Sequence, residues 1–195
     1  NGMNQVLVNR PVLEEYIRRQ YPGFKLISST TKRITGLDGL LEELNKDYFL
    51  VVLDYDLNHN EEVLSAIGKQ ADKVEILVNE ICYPGCPKRS EHYRQQSQMQ
   101  LEYDIDAAFP CPNKTRERKF EECKERPSFI SREQIREYAD RGFVNFKIVG
   151  RGMPMDFVKE SYLYYLVKDD SRAFIRNKME STLNQFAQAM RKRKA

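Results

Sequence analysis

The sequence predicts an α/β fold, most closely a (β/α) barrel of which about five strands are present. Short apolar segments alternate with helical patterns, and successive apolar segments lie about two dozen residues apart. Such alternation is typical of a parallel sheet covered by helices. Each apolar segment also ends in polar residues, as expected where the carboxyl ends of parallel strands form a functional edge. Similar unit lengths favour a barrel over an open five-stranded sheet, which remains the alternative.

The apolar segments and the helix signals define the individual elements. The predicted strands are Gln5–Asn9, Phe24–Ser28, Tyr48–Leu53, the apolar run that starts at Lys73, and Phe143–Val149. The predicted helices start at Pro11 and Ser131 or cover Leu37–Leu44, Glu61–Gln70, Met155–Lys168 and Ser171–Arg191. Proline suits the first turn of a helix, and serine suits the position before it. In the first helix, Val12, Leu13, Tyr16 and Ile17 are predicted to form one apolar face.

The regular alternation is interrupted between Tyr93 and Ser128, where the sequence is polar and predicts a long irregular segment. Such segments are uncommon in compact domains and are usually functional. We therefore expect one α/β domain over residues 1–195 with a cysteine-bearing insertion at about 81–128. Five strands do not close an eight-stranded barrel. About three N-terminal units are expected to be missing, or to be supplied by a partner such as a second copy.

Composition restricts the class of protein. With 195 residues, of which 41% are hydrophobic, the chain can bury one sizeable core. A net charge of +3 with 31% charged residues favours neither nucleic acid nor a membrane surface as a partner. No apolar run reaches the ~18–20 residues that span a bilayer. The start of the chain does not have the pattern of a signal peptide, so we expect a cytoplasmic protein whose thiols stay reduced.

Four cysteines are the strongest chemical signal in the chain. Cys82 and Cys86 follow the fourth strand, with Pro84 and Gly85 between them, and Cys111 and Cys123 lie in the predicted irregular segment. Four thiolates can hold an iron–sulfur cluster or a tetrahedral zinc ion. The first pair does not have the C-x2-C spacing that is usual in zinc knuckles. Disulfides, or four unrelated buried thiols that pack as small apolar residues, are the other interpretations.

The polar residues at the strand ends form a candidate active-site rim. Glu80 or Asp54 could act as a general base if burial raises its pKa. Arginine side chains at this edge could bind a carboxylate or phosphate through paired hydrogen bonds. The candidate catalytic residues are Asp54, Glu80, Lys147 and Arg151, and the candidate substrate-binding residues are Asn9, Arg10, Ser28, Ser29, Asn58 and Asn79. For each of these charges a rim salt bridge is the alternative, and Asn58 could simply cap the following helix.

Several segments, in this order, resemble the peptidase U32 family. They are QVLVN, YPGFKLISST, VVLDYDLN, the ILVNEIC loop, and FKIVGRGMP followed by YLYYL. The resemblance covers residues 3–168, and its order and spacing carry it more than any single motif. The chain differs from the family in Asn79-Glu80, where a His-Gly pair is common, and in Val149, where a KIEGR-like segment has an acidic residue.

The resemblance implies a TIM-like barrel, of which this chain would be a C-terminal portion. It also implies a four-iron–four-sulfur cluster on Cys82, Cys86, Cys111 and Cys123, an electron donor, and oxygen-independent hydroxylation of RNA or of a small aromatic molecule. The older family name, collagenase-like protease, suggests a cysteine peptidase instead. The sequence contains neither a G-x-S-x-G elbow nor an H-E-x-x-H helix. A Cys82 nucleophile would need His92 as its base. A zinc-stabilised binding or assembly module is the third hypothesis.

Overall fold

The computed structural model describes residues 4–103, 109–111 and 118–192 and contains a five-stranded, fully parallel sheet. The strands follow one another in chain order across the sheet. They are β1 (Gln5–Val8), β2 (Lys25–Ser28), β3 (Leu50–Val52), β4 (Val74–Leu77) and β5 (Asn145–Lys147). Sequential order with helical crossovers is the arrangement of a barrel wall, so the prediction of a parallel, barrel-like α/β fold is confirmed.

Helices connect and follow the strands. They are α1 (Pro11–Gln20), α2 (Leu37–Leu44), α3 (Glu61–Ile67), α4 (Arg89–Glu102), α5 (Phe120–Lys124), α6 (Arg132–Asp140), α7 (Met155–Leu166) and α8 (Arg172–Lys192). α2 has the predicted bounds, and the other predicted elements differ at their ends. The predicted strands are longer than the observed ones, because apolar residues such as Tyr48 and Leu53 continue into the core beyond the hydrogen-bonded ladder.

The two faces of the sheet have different surroundings. In register, Val51 pairs with Val74, and Ile76 pairs with Phe146. These side chains belong to the main core, to which α1, α2, α3 and α6 also contribute. The alternate residues point to the opposite face because side chains alternate along a strand. Leu7, on that face, is 45% exposed, and Lys147 there pairs with Glu75 through Nζ and Oε2 at 2.9 Å. The helices thus cover one face, as in a barrel wall.

Two sequence-based expectations are wrong. Val12, Leu13 and Tyr16 of α1 are exposed, and only Ile17 of that helix is buried. The predicted irregular segment instead begins within the 14-residue helix α4 and includes α5. α4 buries one side chain, Arg89, so the apolar repeat that identifies helices is missing from its sequence. The remainder of the segment, 104–108 and 112–117, lies outside the described residues.

Between positions 4 and 192, leaving aside 104–108 and 112–117, no helix is long and apolar enough to cross a membrane.

Candidate functional site

The loop that follows β4 is the centre of the candidate site. Its backbone is held by Glu80, whose Oε1 accepts a hydrogen bond from the amide of Cys82 at 3.0 Å. Burial raises the pKa of the Glu80 carboxyl, and the positive charge of Arg89 opposes that rise. Cys82 and Cys86 are half-buried, and both are free thiols. The carbonyl of Cys86 accepts from the amide of Arg89 at 3.1 Å, so the loop leads directly into α4.

Helix α5 brings the fourth cysteine to this loop. Cys123 is fully buried, and its thiol lies 3.7 Å (Sγ to O) from the carbonyl of Glu80. Burial and the nearby Glu80 charge raise the pKa of Cys123 to about 12. Just beyond α5, Arg126 donates from Nε to the carbonyl of Ile81 at 2.9 Å and stacks over the ring of Tyr83. The end of α5 therefore fixes the loop that carries Cys82.

Cys111 follows a residue that packs against α4. The ring of Phe109 stacks on His92 of α4, with ring centroids 4.5 Å apart. The backbone amide of Cys111 donates to the carbonyl of Phe109 at 2.8 Å. These contacts place Phe109, two residues before Cys111, beside the first turns of α4, the helix that follows the loop of Cys82 and Cys86.

The four cysteines are of the donor type that binds an iron–sulfur cluster or zinc. All four are unpaired, and a soft thiolate set is the donor type that both centres require. In the described ranges, however, no three His, Cys, Asp or Glu side chains are arranged to hold a metal ion. The donor set therefore fits such a centre, and its ligand geometry is not formed in this structure.

A second charged group lies at the end of β3. Asp54 is buried, and both of its carboxylate oxygens accept from Nη1 of Arg33, at 2.7 and 2.6 Å. Asp56 accepts from Nη2 of the same arginine at 2.7 Å. Burial raises the pKa of Asp54, although Arg33 and the Asp56 amide oppose it. Arg33 reaches this position from a left-handed backbone conformation (φ 59°), which is uncommon outside glycine and is enriched at functional sites.

Arg89 joins the group at β3 to the cysteine loop. Its guanidinium carbon lies 5.0 Å from the ring centre of Tyr55 and 5.2 Å from that of Tyr93. Arg33 lies over the same Tyr55 ring, at 5.5 Å. Across the described ranges, two buried guanidinium nitrogens of Arg89, Nε and Nη2, have no hydrogen-bond partner, and neither does the hydroxyl of Tyr55. The site therefore contains charged and polar groups whose bonding capacity is not used.

Several predicted substrate-binding residues are occupied by structural bonds. Asn79 donates to the carbonyl of Val149 at 2.9 Å and accepts from its amide at 2.6 Å, which joins the ends of β4 and β5. Asn58 donates to the carbonyls of Leu77 and Ser128. Ser28 donates to Glu43 on the helix-covered side of the sheet, at 2.5 Å. These bonds leave the three side chains little capacity for a ligand.

The remaining predicted residues lie around the edge of the sheet. Asn9 donates to the hydroxyl of Thr31 at 2.7 Å, and Ser29 caps the 3₁₀ turn that starts at Thr30. Arg10 precedes α1 and is exposed, and Arg151 is exposed in the turn after β5. Lys147 is paired with Glu75 on the uncovered face. The structure therefore brings Glu80 into contact with Cys82 and Cys123. It connects Asp54 to this region through Arg33, which shares the ring of Tyr55 with Arg89. Arg10 and Arg151 are exposed.

Sequence reasoning missed Arg33, Tyr55, Arg89 and Tyr93 as site residues. Arg89 lies three residues after Cys86, and a cation so close to a cysteine loop is a sequence signal for a site residue. Nothing in the local sequence indicates that Arg33 adopts a left-handed conformation or reaches across to β3. These contacts join residues about 20 or more positions apart, which a periodic pattern does not encode.

The geometry does not contain a formed cysteine–histidine dyad. His92 stacks on Phe109, and within the described part of the chain it makes no hydrogen bond with Cys82. Burial and the neighbouring Arg89 lower the pKa of His92. A peptidase would require His92 to turn toward the thiol of Cys82.

Comparisons with known proteins give one distant relationship. The chain is 27% identical over 171 residues to the uncharacterized protease MJ1657 of Methanocaldococcus jannaschii, a match that covers 85% of this chain and 50% of the relative. The chain is thus a distant relative of that protein and spans about half its length. No protein-family model and no solved structure matches the chain.

Proposed function

We propose that the chain is a U32-like iron–sulfur protein that supports oxygen-independent hydroxylation, or a related modification, of RNA or of a small aromatic substrate. The observation that supports this proposal most strongly is the contact of the buried Cys123 thiol with the loop that follows β4 and carries Cys82 and Cys86, all of them free thiols. Ligand sites of parallel α/β folds lie in loops such as this one, at the carboxyl ends of the strands. The distant relationship to a protein named a protease agrees with the U32 resemblance and leaves the reaction open.

The cofactor of this proposal is a four-iron–four-sulfur cluster held by Cys82, Cys86, Cys111 and Cys123. When bound, such a cluster supplies one-electron transfer and therefore needs an electron donor as a partner. Cys123 and the neighbouring aromatic residues would shield the centre from solvent, since Phe120 and Phe157 pack around that thiol. Zinc on the same thiols is the alternative cofactor.

The other candidate site residues have separate proposed roles. Glu80 is the best candidate for a general base, because burial raises its pKa and its carboxylate lies beside the cysteine loop. Asp54 forms an ion pair with Arg33, and Lys147 forms one with Glu75. The proposed role of Asp54 and Lys147 is therefore to position other groups. Arg10 and Arg151 are exposed, so they could contact an extended substrate such as RNA, whereas Asn9 and the buried Ser29 are hydrogen-bonded to Thr31.

Anaerobic reconstitution with iron and sulfide tests the proposal. The wild-type chain should become brown, absorb broadly near ~400 nm, and contain about four iron and four sulfide per chain. Cys123→Ser should lose most of this absorption, because it removes a thiolate ligand. His92→Ala is the matched control, since it alters the same region without removing a thiol, and it should keep the cluster.

A colourless, iron-free wild-type chain after reconstitution would contradict the iron–sulfur proposal. If the protein instead retains about one zinc per chain, and chelation lowers its melting temperature, the zinc-stabilised module is favoured.

A cysteine peptidase is the second candidate, and the name of the distant relative favours it. Cleavage of a peptide library by the metal-free chain, and its loss in Cys82→Ser, would support a thiol nucleophile. If neither protein cleaves any peptide, the peptidase hypothesis fails. If Cys82→Ser cleaves as well as wild type, it fails too.

A further inference from the structure

Arg89 is a buried cation whose hydrogen-bonding capacity is not satisfied. Its side chain is 6% exposed, and its Nε and Nη2 atoms are buried without a hydrogen-bond partner. An arginine stays protonated at any physiological pH. Buried charged groups are normally paired, because leaving one unpaired is far more costly than leaving a neutral group unpaired. Two N–H donors of this guanidinium are therefore unused within the described part of the chain.

The surroundings hold the guanidinium in one orientation. It lies over the rings of Tyr55 and Tyr93, at 5.0 and 5.2 Å from their centres. The hydroxyl of Tyr55 is also buried and has no hydrogen-bond partner. Cation–π contacts fix the position of the charge, but they do not use its N–H donors. Two donor nitrogens and a neighbouring hydroxyl are therefore available to the same ligand.

The carboxylates of the site are bound elsewhere. Asp54 and Asp56 accept their hydrogen bonds from Arg33. Glu80 attracts Arg89 electrostatically, but its Oε1 accepts from the amide of Cys82 at 3.0 Å. Over the described ranges, no carboxylate accepts a hydrogen bond from Arg89. Glu80 thus balances part of the Arg89 charge from nearby, while the buried Nε–H and Nη2–H donors of Arg89 stay unused in the described part of the chain.

Arg89 is also the first residue of α4. This helix has 14 residues, and no side chain caps its N-terminus. The amide groups and dipole at a helix N-terminus favour a negative group. By itself that feature is common. Here it coincides with the buried, unpartnered guanidinium, and the two point to the same kind of ligand.

We propose that Arg89, with the hydroxyl of Tyr55 and the N-terminus of α4, binds the oxyanion of a small molecule, either a carboxylate or a phosphate. The guanidinium offers paired N–H donors, which match the oxygen spacing of both groups. The ligand enters from the side of the cysteine loop, where Cys82 and Cys86 are half-buried and Tyr83 is exposed. The site requires no metal, so it stands independently of the proposed cluster.

Titration of the metal-free, 195-residue chain with inorganic phosphate and, separately, with sodium acetate tests this site. Each titration is followed at constant ionic strength by calorimetry and by the NMR signals of the arginine side-chain Nε–H groups. At least one probe should bind the wild-type chain and shift the signal that disappears in Arg89→Lys. That variant keeps the positive charge but loses the planar fork, so its affinity should fall about tenfold. Arg141→Gln, which removes a surface arginine paired with Glu61, should bind like wild type.

The two probes also identify the source of the oxyanion. Binding of acetate alone assigns a carboxylate ligand, and binding of phosphate alone assigns a phosphate ligand. Arg89→Met provides a separate readout. It removes every N–H donor of this side chain, so binding of the probe should be lost.

The proposal is overturned if neither probe binds the wild-type chain, or if Arg89→Lys binds as tightly as wild type. Probe binding that survives in the Arg89→Met variant would also overturn it. None of these results depends on iron, sulfide or turnover, so they leave the test of the iron–sulfur function unaffected.

Discussion

Two buried charged side chains, Glu43 and Arg89, differ in how completely they are hydrogen-bonded. On the helix-covered side of the sheet, Glu43 is almost completely buried and accepts hydrogen bonds from Lys32 at 2.6 Å and from Ser28 at 2.5 Å. Lys46 donates to its second oxygen at 2.9 Å. Near the cysteine loop, by contrast, Nε and Nη2 of Arg89 have no hydrogen-bond partner among the residues that the structure describes. The fully bonded group stabilises the fold, whereas the unbonded group is available to a ligand.

The Glu43 network predicts how stability depends on pH. Burial alone would raise the pKa of Glu43, but the hydrogen bonds from Lys32, Ser28 and Lys46 outweigh it and lower that pKa from 4.5 to about 2. Because the folded state has the lower pKa, the stabilisation is complete above the unfolded value and is lost as pH falls toward 2. The loss should be about 3 kcal/mol of unfolding free energy.

Urea unfolding between pH 6 and pH 2 measures this loss. Glu43→Gln should lack this part of the pH dependence, whereas Glu42→Gln, at a neighbouring exposed carboxylate, should keep it. Equal slopes for wild type and Glu43→Gln would contradict the assignment.

At the scale of elements, local signals in the sequence predicted some helices and not others. Ser131 was recognised as a helix start, and the structure contains a complete capping box there. The backbone amide of Gln134 donates to the Ser131 hydroxyl at 3.2 Å, and the backbone amide of Ser131 donates to Oε1 of Gln134 at 2.8 Å. α4 was missed because it has neither a capping side chain nor an apolar face. The contact of α4 with Phe109, through the His92 ring, is a tertiary contact that no local sequence pattern predicts.

Removing the cap of α6 should have a modest and specific cost. Ser131→Ala should lower the free energy of unfolding by about 1 kcal/mol, because it leaves an amide of the first turn without its partner. Ser97→Ala, the same substitution at an exposed position inside α4, serves as the control and should leave stability unchanged or slightly increased. Chemical denaturation measures both. A Ser131→Ala variant as stable as the Ser97→Ala control would show that the capping box contributes nothing.

At the scale of the whole molecule, the repeating strand–helix units were sufficient to predict a parallel, barrel-like sheet. Each unit carries its own apolar strand, and such units stack only in a few ways. For the site, the sequence placed Glu80 and Cys82 together after β4, and the structure adds the contact of Cys123 with the carbonyl of Glu80. The joint role of the four cysteines stays a prediction. Asn79 and Asn58 were assigned to substrate binding because they follow strands, but their amides join neighbouring segments of backbone.

The proposed site requires that Cys111 and Cys123 approach the loop of Cys82 and Cys86 in the metal-free chain. Cys123 contacts this loop, with its Sγ 3.7 Å from the carbonyl of Glu80. Mild oxidation with diamide, followed by peptide mapping by mass spectrometry, tests the requirement most directly, since only thiols that come close together form a disulfide. The proposed site predicts disulfides that join Cys82 or Cys86 to Cys111 or Cys123 within one chain. If oxidation yields only a Cys82–Cys86 bond, or links only between separate chains, the four thiols do not share one site and the iron–sulfur proposal is contradicted.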